Sequence, residues 1–249
     1  MFTKIVVTGT GNVGTWLFQT LQNQNNLSVV SVSGRNIEIL PKDYDLYIFA
    51  LKDDVYETVL QQIPFKMPQA VHTSGSLSQN ILAPYSERFG VVYPYQTITR
   101  KAECGTQKAE REMLNVPICV EGNHSEFEAT LFHWANSVFD IVFKVSEQQR
   151  FAMHLAAVFA NNFTNAMYGI AYQIFKESHL DWSLIFPLLE NTLEKAKHNN
   201  PCVVQTGPAV RNDISIMEKH CNALKNEDLK KLYLLISKVI QCSIQNSCM

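Results

Sequence analysis

No apolar run in this 249-residue chain approaches the roughly twenty residues that cross a bilayer, so no membrane helix is expected. The six cysteines (Cys104, Cys119, Cys202, Cys221, Cys242, Cys248) form no Cys-x-x-Cys pair and no Cys/His cluster with zinc spacing, which argues against a structural metal site. In a chain of this size they are expected to be reduced, several of them filling core positions. Lysines and arginines are scattered without a basic stripe. The formal charge of −2 and pI near 6.4 leave no electrostatic footprint for nucleic acid or an anionic membrane. No charged n-region and apolar h-region opens the chain, so no signal peptide is expected and the cytoplasm is the expected compartment. Repeats and low-complexity segments are absent as well.

What is present begins at Lys4. Lys4-Ile5-Val6-Val7-Thr8 is a short β-branched run, followed at once by Gly9-Thr10-Gly11-Asn12-Val13-Gly14 and then by Val13, Leu17 and Leu21 at helical spacing. A strand, a Gly-x-Gly-x-x-Gly loop and a helix in that order are built to hold a pyrophosphate. Gly9 permits the tight turn, Gly11 lets the backbone approach the phosphates, and Gly14 lets the helix pack close. The helix N-terminus supplies N–H groups and a positive dipole end. Gly9, Thr10, Gly11, Asn12, Val13 and Gly14 are therefore the expected dinucleotide loop; the alternative is a tight turn in a nucleotide-free α/β protein.

The second strand, Leu27–Val32, ends in Ser33-Gly34-Arg35-Asn36, where an NAD site usually carries Asp or Glu for the ribose 2′-hydroxyl. No carboxylate stands there. A Ser, an Asn and an Arg fork suit a phosphate dianion, which favours NADP, with Ser33, Arg35 and Asn36 on the 2′-phosphate; otherwise Arg35 is a solvated loop residue.

The first half alternates short β runs with helical stretches, the pattern of a doubly wound, mostly parallel sheet. Strands are expected at 3–8, 27–32, 45–51, 69–72 and 89–93, with further β-like runs at 116–121 and 141–145 and a helix over 125–139. Ser146-Glu147-Gln148-Gln149 is a capping box that opens a long helical pattern to about Lys176. Helices near 181–197, 213–224 and 226–244 follow. The expected fold is α/β of Rossmann type followed by an all-helical part, with a nucleotide-binding domain at 1–146 and a helical substrate and dimerisation domain at 147–249.

In such a sheet the ligand lies beyond the carboxyl ends of the strands. After strand three come Ala50, Leu51 and Lys52, expected beside the nicotinamide ribose. After strand four comes His72-Thr73-Ser74-Gly75-Ser76; His72 is a candidate general acid, and Ser74 a candidate contact to cofactor or substrate. After strand five comes Tyr93-Pro94-Tyr95-Gln96-Thr97, where Gln96 is a candidate substrate contact. On the long helix His154, Asn161 and Asn165 align within about 20° at 3.6 residues per turn, a polar stripe on an otherwise apolar helix. The stripe either faces a ligand cleft, with His154 as a candidate proton donor, or bonds neighbouring helices. In Gln205–Asp213, turn chemistry accounts for Gly207 and Pro208, and Asp213 reads as a helix N-cap. Arg211 is left free to bind a substrate carboxylate, with Thr206 at the reacting centre.

Taken together, the glycine loop, His-Thr-Ser-Gly-Ser (72–76), Tyr-Pro-Tyr-Gln-Thr (93–97) and Thr-Gly-Pro-Ala-Val-Arg-Asn-Asp (206–213) resemble a family of candidate NADP oxidoreductases whose C-terminal half is a domain of unknown function. The resemblance covers nearly the whole chain. It implies kinship with pyrroline-5-carboxylate reductase and deazaflavin-dependent NADP reductases, joined to a helical domain similar to that of 6-phosphogluconate dehydrogenase. It also implies a homodimer formed through the helical part, with the active site between domains or subunits. Three departures bear on substrate. Tyr93-Pro94-Tyr95 replaces the Met-Pro-Asn of the pyrroline reductases, and Thr206-Gly207-Pro208-Ala209 replaces their Ser-Pro-Gly-Gly-Thr-Thr. The lysine of the hydroxyacid dehydrogenase pair is missing from the stripe. The pyrroline substrate therefore does not carry over. The activity implied is hydride transfer to or from a small, carboxylate-bearing carbonyl or imine compound; the alternative is a non-catalytic NADP(H)-binding sensor.

Overall fold

The computed structural model describes residues 2–99 and 115–247. Cys104 and Cys248 lie outside them. The chain falls into two compact units, the first running to Met167 and the second from Tyr168.

The first unit is built on one sheet of order β2-β1-β3-β4-β5-β6-β7. Its strands are β1 (Lys4–Thr8), β2 (Ser28–Val32), β3 (Leu46–Phe49), β4 (Met67–His72), β5 (Ser86–Pro94), β6 (Ile118–Gly122) and β7 (Val142–Lys144). Strands β1 to β5 pair in parallel, β6 runs antiparallel to β5, and β7 is parallel to β6. The central strands are apolar along their length because both faces are covered; all four residues of β3 are buried.

Side-chain alternation sends β1 and β3 into two different cores. Ile5, Val7 and Ile48 join Trp16, Leu17 and Leu21 of α1 (Asn12–Gln22) and Phe127, Leu131 and Trp134 of α3 (Ser125–Asn136). Val6, Tyr47 and Phe49 join Ile37, Leu40, Leu82 and the buried Tyr56, Val59 and Leu60 of α2 (Tyr56–Leu60). The chain leaves β1 for β2 on one side and then crosses to β3 on the other. The switch point therefore lies at the carboxyl ends of β1 and β3, where such sheets open a crevice.

The capping box expected at Ser146 is present: the Gln149 N–H donates to Ser146 Oγ, and the Ser146 N–H donates to Gln149 Oε1. It starts α4 (Glu147–Ala157), which belongs to the first unit. The long helical pattern is not one α-helix. A π-helical turn at Val158–Phe163 separates α4 from α5 (Thr164–Glu177). A π turn carries an extra residue, so the 3.6-residue count that aligned His154 with Asn161 and Asn165 does not hold across it.

In the second unit, α6 (Phe186–His198), α7 (Ile214–Ala223) and α8 (Glu227–Ser247) follow α5. Trp182 ties α5 to α6 by edge contacts with Tyr172, Phe175 and Phe186, at centroid distances of 5.3, 5.5 and 6.2 Å. Asp213 caps α7 by accepting from the Ile216 N–H at 3.2 Å. Of the described cysteines only Cys119 is buried, which corrects the expectation that several fill core positions.

Candidate active site

The glycine loop is shaped by its neighbours. Gly9 has φ +114°, and a Cβ there would stand 2.1 Å from the Ala50 carbonyl oxygen; its N–H donates to the Val32 carbonyl at 2.8 Å. That bond ties the loop to the end of β2. A Cβ on Gly14 would fall 2.0 Å from the Gly9 carbonyl oxygen, so α1 packs against the loop only because position 14 is glycine. Gly11 differs from both. A Cβ there would meet nothing within 4 Å, and the backbone is ordinary extended chain at φ −74°.

Gly11 is the N-cap of α1. No side chain caps that end and no acidic residue stands in the first turn, so the N–H groups of Asn12 and Val13 are among the helix donors without an intrahelical partner. An open backbone cradle at an uncapped helix N-terminus fits an anion such as pyrophosphate.

Beyond β2, Ser33 caps a 3-10 turn over Gly34–Ile39, its hydroxyl accepting from the Arg35 N–H at 3.3 Å. Ile37 and Leu40 anchor this turn in the core while Arg35 and Asn36 stay exposed. Among the described residues the Arg35 guanidinium has no carboxylate partner, so the fork remains available to an outside anion.

The next three strand ends meet one another. Past β3, Ala50 is buried, Leu51 half-buried and Lys52 exposed. The Tyr56 hydroxyl donates to the Phe49 carbonyl at 2.7 Å, and burial holds that phenol protonated, pushed up to about 12. At the end of β4, His72 is fully buried and its Nδ1 accepts from the Ser74 N–H at 3.1 Å. Burial first, and the Arg150 charge second, push His72 down to about 4, so the ring is neutral at physiological pH. The Ser74 hydroxyl is occupied by the turn it begins, accepting from the Ser76 and Leu77 N–H groups at 3.1 and 3.0 Å. Ser76 Oγ in turn donates to Asp53.

Near the end of β5, the Tyr93 hydroxyl lies 3.1 Å from His154 Nδ1. Burial pushes the Tyr93 phenol up to about 12, so it stays protonated and can donate to the ring. A Cβ on Gly75 would stand 2.6 Å from His154 Nδ1 and 2.9 Å from Tyr93 Cζ. The side chain that Gly75 lacks is thus the space in which His154 and Tyr93 meet. The Asn161 amide bonds Thr97 Oγ1, and the exposed Gln96 turns its amide oxygen back to the Thr97 N–H at 3.2 Å. Asn165 is exposed.

Thr206 and Arg211 belong to the second unit, both exposed on the loop before α7. Gly207 and Asn212 adopt positive φ there, +115° and +52°, and the Arg211 N–H donates to the Gly207 carbonyl at 3.4 Å.

Within the first unit the structure brings His154 to strand five and His72 under the Ser74 turn. It also adds two residues that sequence reasoning passed over. Arg150 has no exposed surface; its Nε donates to Glu121 Oε2 at 3.0 Å and its Nη1 to the Ser74 carbonyl at 3.0 Å. Burial raises Glu121 against the opposing pull of Arg150. A lone carboxylate in the otherwise apolar run Ile118-Cys119-Val120-Glu121 was the available signal that a cation must be folded against it.

Residues 116–240 match the family model described as a domain of unknown function (DUF2520). The chain belongs to this family. No curated protein matches the sequence. Among solved structures, a candidate NADP oxidoreductase of Bacteroides fragilis, BF3122, is 28% identical with a TM-score of 0.82, over 96% of this chain and 98% of the other. A 1-pyrroline-5-carboxylate reductase of Streptococcus pyogenes is 14% identical, TM-score 0.59, over 98% and 97% of the two chains. An imine reductase of Myxococcus stipitatus, solved in complex with NADP+, is 12% identical, TM-score 0.56, over 99% and 94%. The last two establish likeness of fold, and with it the Rossmann-type sheet followed by helices in this DUF2520 protein.

Proposed function

We propose that this protein is an NADP-dependent oxidoreductase that transfers hydride to or from a small, carboxylate-bearing carbonyl or imine compound. The observation that carries the reading is the open Gly11 cradle at an uncapped helix end, set on the sheet edge that also presents the His154–Tyr93 pair. Gly9, Thr10, Gly11, Asn12, Val13 and Gly14 hold the pyrophosphate, Ser33, Arg35 and Asn36 the 2′-phosphate, and Ala50, Leu51 and Lys52 border the ribose. The likeness to the Bacteroides candidate NADP oxidoreductase supports the same cofactor.

When bound, the nicotinamide supplies or accepts the hydride. The chain's own part is the proton. The Tyr93 hydroxyl, kept protonated by burial, donates to Nδ1 of His154, which leaves the ring proton on Nε2. As that proton passes to a substrate oxygen or nitrogen, the Tyr93 hydroxyl proton moves to Nδ1 in the same step, so that the ring stays neutral and the charge left behind rests on the Tyr93 oxygen. His72, sealed and neutral, positions the Ser74 turn instead of donating. Gln96, Asn161 and Asn165 are the further polar groups proposed for substrate in the first unit; in the second, the exposed Arg211 with Thr206 offers a carboxylate site.

We further infer a homodimer through the helical part. Phe151, Leu155, Phe159 and Phe163 recur every four residues with 51, 49, 62 and 49% of their surface exposed, and neither α5 nor α6 buries any residue. Exposed apolar side chains in this number mark an interface, and a second copy supplies the same ones. The test of the catalytic reading is a panel of small keto acids and cyclic imines scored by loss of NADPH absorbance, on wild type, His154→Asn and Arg211→Ala. Turnover that both variants abolish supports it. Turnover untouched by Arg211→Ala refutes the carboxylate role, and NADPH binding with no turnover on any compound favours the sensor.

A further inference from the structure

A buried ion pair seldom raises stability over an apolar pair of equal volume, because two charges must be stripped of water. Arg150 and Glu121 meet that cost with few bonds. Nε and Nη1 are engaged, while Nη2 is buried with no hydrogen-bond partner among the described residues. Stability alone therefore does not explain why a full guanidinium sits here. Its neighbours offer a better account.

Arg150 stands in the first turn of α4, its N–H bonded to the Ser146 carbonyl at 2.8 Å. His154 is one turn further along the same face, four residues on. Ser74, whose carbonyl Arg150 holds, is followed directly by Gly75, whose open side is filled by the His154 ring. A second tether joins the same two segments, Ser78 Oγ donating to Glu147 Oε2 at 2.8 Å. Helix, loop and strand β6 are thus clamped at one point, one helical turn below the place where His154 must meet Tyr93.

We propose that Arg150 is a positioning residue: its bonds to Glu121 and to the Ser74 carbonyl set the height and rotation of α4 so that His154 lies over Gly75 and reaches the Tyr93 hydroxyl. The inference rests on the reading of His154 as proton donor for its consequence, though not for its geometry. Arg150 does not touch the reacting atoms. It fixes the one ring that would.

The experiment uses full-length protein labelled at histidine and tyrosine ring positions, with His154 signals assigned by His154→Asn. The readouts are the His154 Nδ1 chemical shift and the cross-relaxation between the His154 and Tyr93 rings. Arg150→Lys keeps a cation for Glu121 but lacks the fork that also reaches Ser74. Arg150→Met/Glu121→Leu removes both charges and leaves an apolar pair. Both variants are expected to fold and to lose the His154–Tyr93 cross-peak, with the Nδ1 shift moving toward that of free imidazole. A cross-peak and shift unchanged from wild type in either folded variant would overturn the proposal. Should the double variant fail to fold, Arg150→Lys alone decides it. NADPH titration of the wild type reports separately on the cofactor reading, so failure of one is not mistaken for failure of the other.

Discussion

Replacing Gly11 and Gly14 one at a time separates a glycine kept for a ligand from a glycine kept for packing. A Cβ on Gly14 falls 2.0 Å from the Gly9 carbonyl oxygen and 2.8 Å from its carbon, both backbone atoms with no flexible end to yield. Gly14→Ala must push α1 off the loop, a disturbance of the overpacking kind that costs about 1–3 kcal/mol. A Cβ on Gly11 meets nothing within 4 Å, at a φ of −74° that any residue adopts. Gly11→Ala should hold stability to within about 1 kcal/mol, the weaker N-cap being offset by a less flexible unfolded chain. The added methyl would, however, occupy the space the phosphates need against the N–H groups. Loss of one charge-assisted hydrogen bond, about 1.5–3 kcal/mol, weakens NADPH binding by roughly 10- to 100-fold. Urea unfolding and fluorescence titration with NADPH measure the two quantities on each variant. Unaltered NADPH affinity in Gly11→Ala would refute the account of the loop as a phosphate cradle.

Other outcomes follow from the same geometry. Gly75→Ala places a methyl 2.6 Å from His154 Nδ1, so it should break the bond to Tyr93 and lower stability by about 1–3 kcal/mol; a crystal structure of the variant with the pair intact would contradict this. His72 titrates near 4 in the folded protein against 6.5 in a free chain, so its neutral form stabilises the fold fully above pH 6.5. That contribution, about 3 kcal/mol, is lost as pH falls through 4. Glu121, raised by burial, works in the opposite direction over acid pH, so the informative quantity is the difference between wild type and His72→Asn in urea midpoints from pH 7 to pH 4. Parallel curves would show that His72 does not titrate as its burial requires. Leu155→Glu should convert a dimer to monomer in sedimentation equilibrium; a wild type that is already monomeric refutes the helical interface.

Much of the sheet was legible because its signals are local. The β-branched run before Gly9 became β1, and the expected 27–32 and 69–72 strands lie within a residue or two of Ser28–Val32 and Met67–His72. Within the stretch expected as a helix over 125–139, Phe127, Leu131, Trp134 and Val138 recur at helical spacing and all four are buried. The expected third strand ran to residue 51, but β3 stops at Phe49, because the Ala50 carbonyl is drawn against Gly9. The π turn at Val158–Phe163 was not legible: it changes hydrogen-bond pairing without changing the apolar pattern that signals a helix. Arg150 and Glu121 escaped for another reason. Their pairing spans 29 residues of chain, and a basic residue in the first turn of an amphipathic helix reads as solvated until the fold closes over it. Local geometry was most legible where turn chemistry fixes it: Gly9 and Gly14 make the close backbone approaches their positions called for, and Asp213 caps α7. His72 was singled out as a strand-end histidine, yet the same strand end buries it completely.

The central claim is an NADP site whose selectivity comes from Arg35. The most direct test is calorimetric titration of the purified protein with NADPH and with NADH, repeated on Arg35→Ala. The account predicts that wild type binds NADPH well over 10-fold more tightly than NADH, and that Arg35→Ala, which removes a charge-assisted contact of about 1.5–3 kcal/mol, erases most of that preference. Equal affinity for the two nucleotides, or NADPH binding indifferent to Arg35, would contradict it.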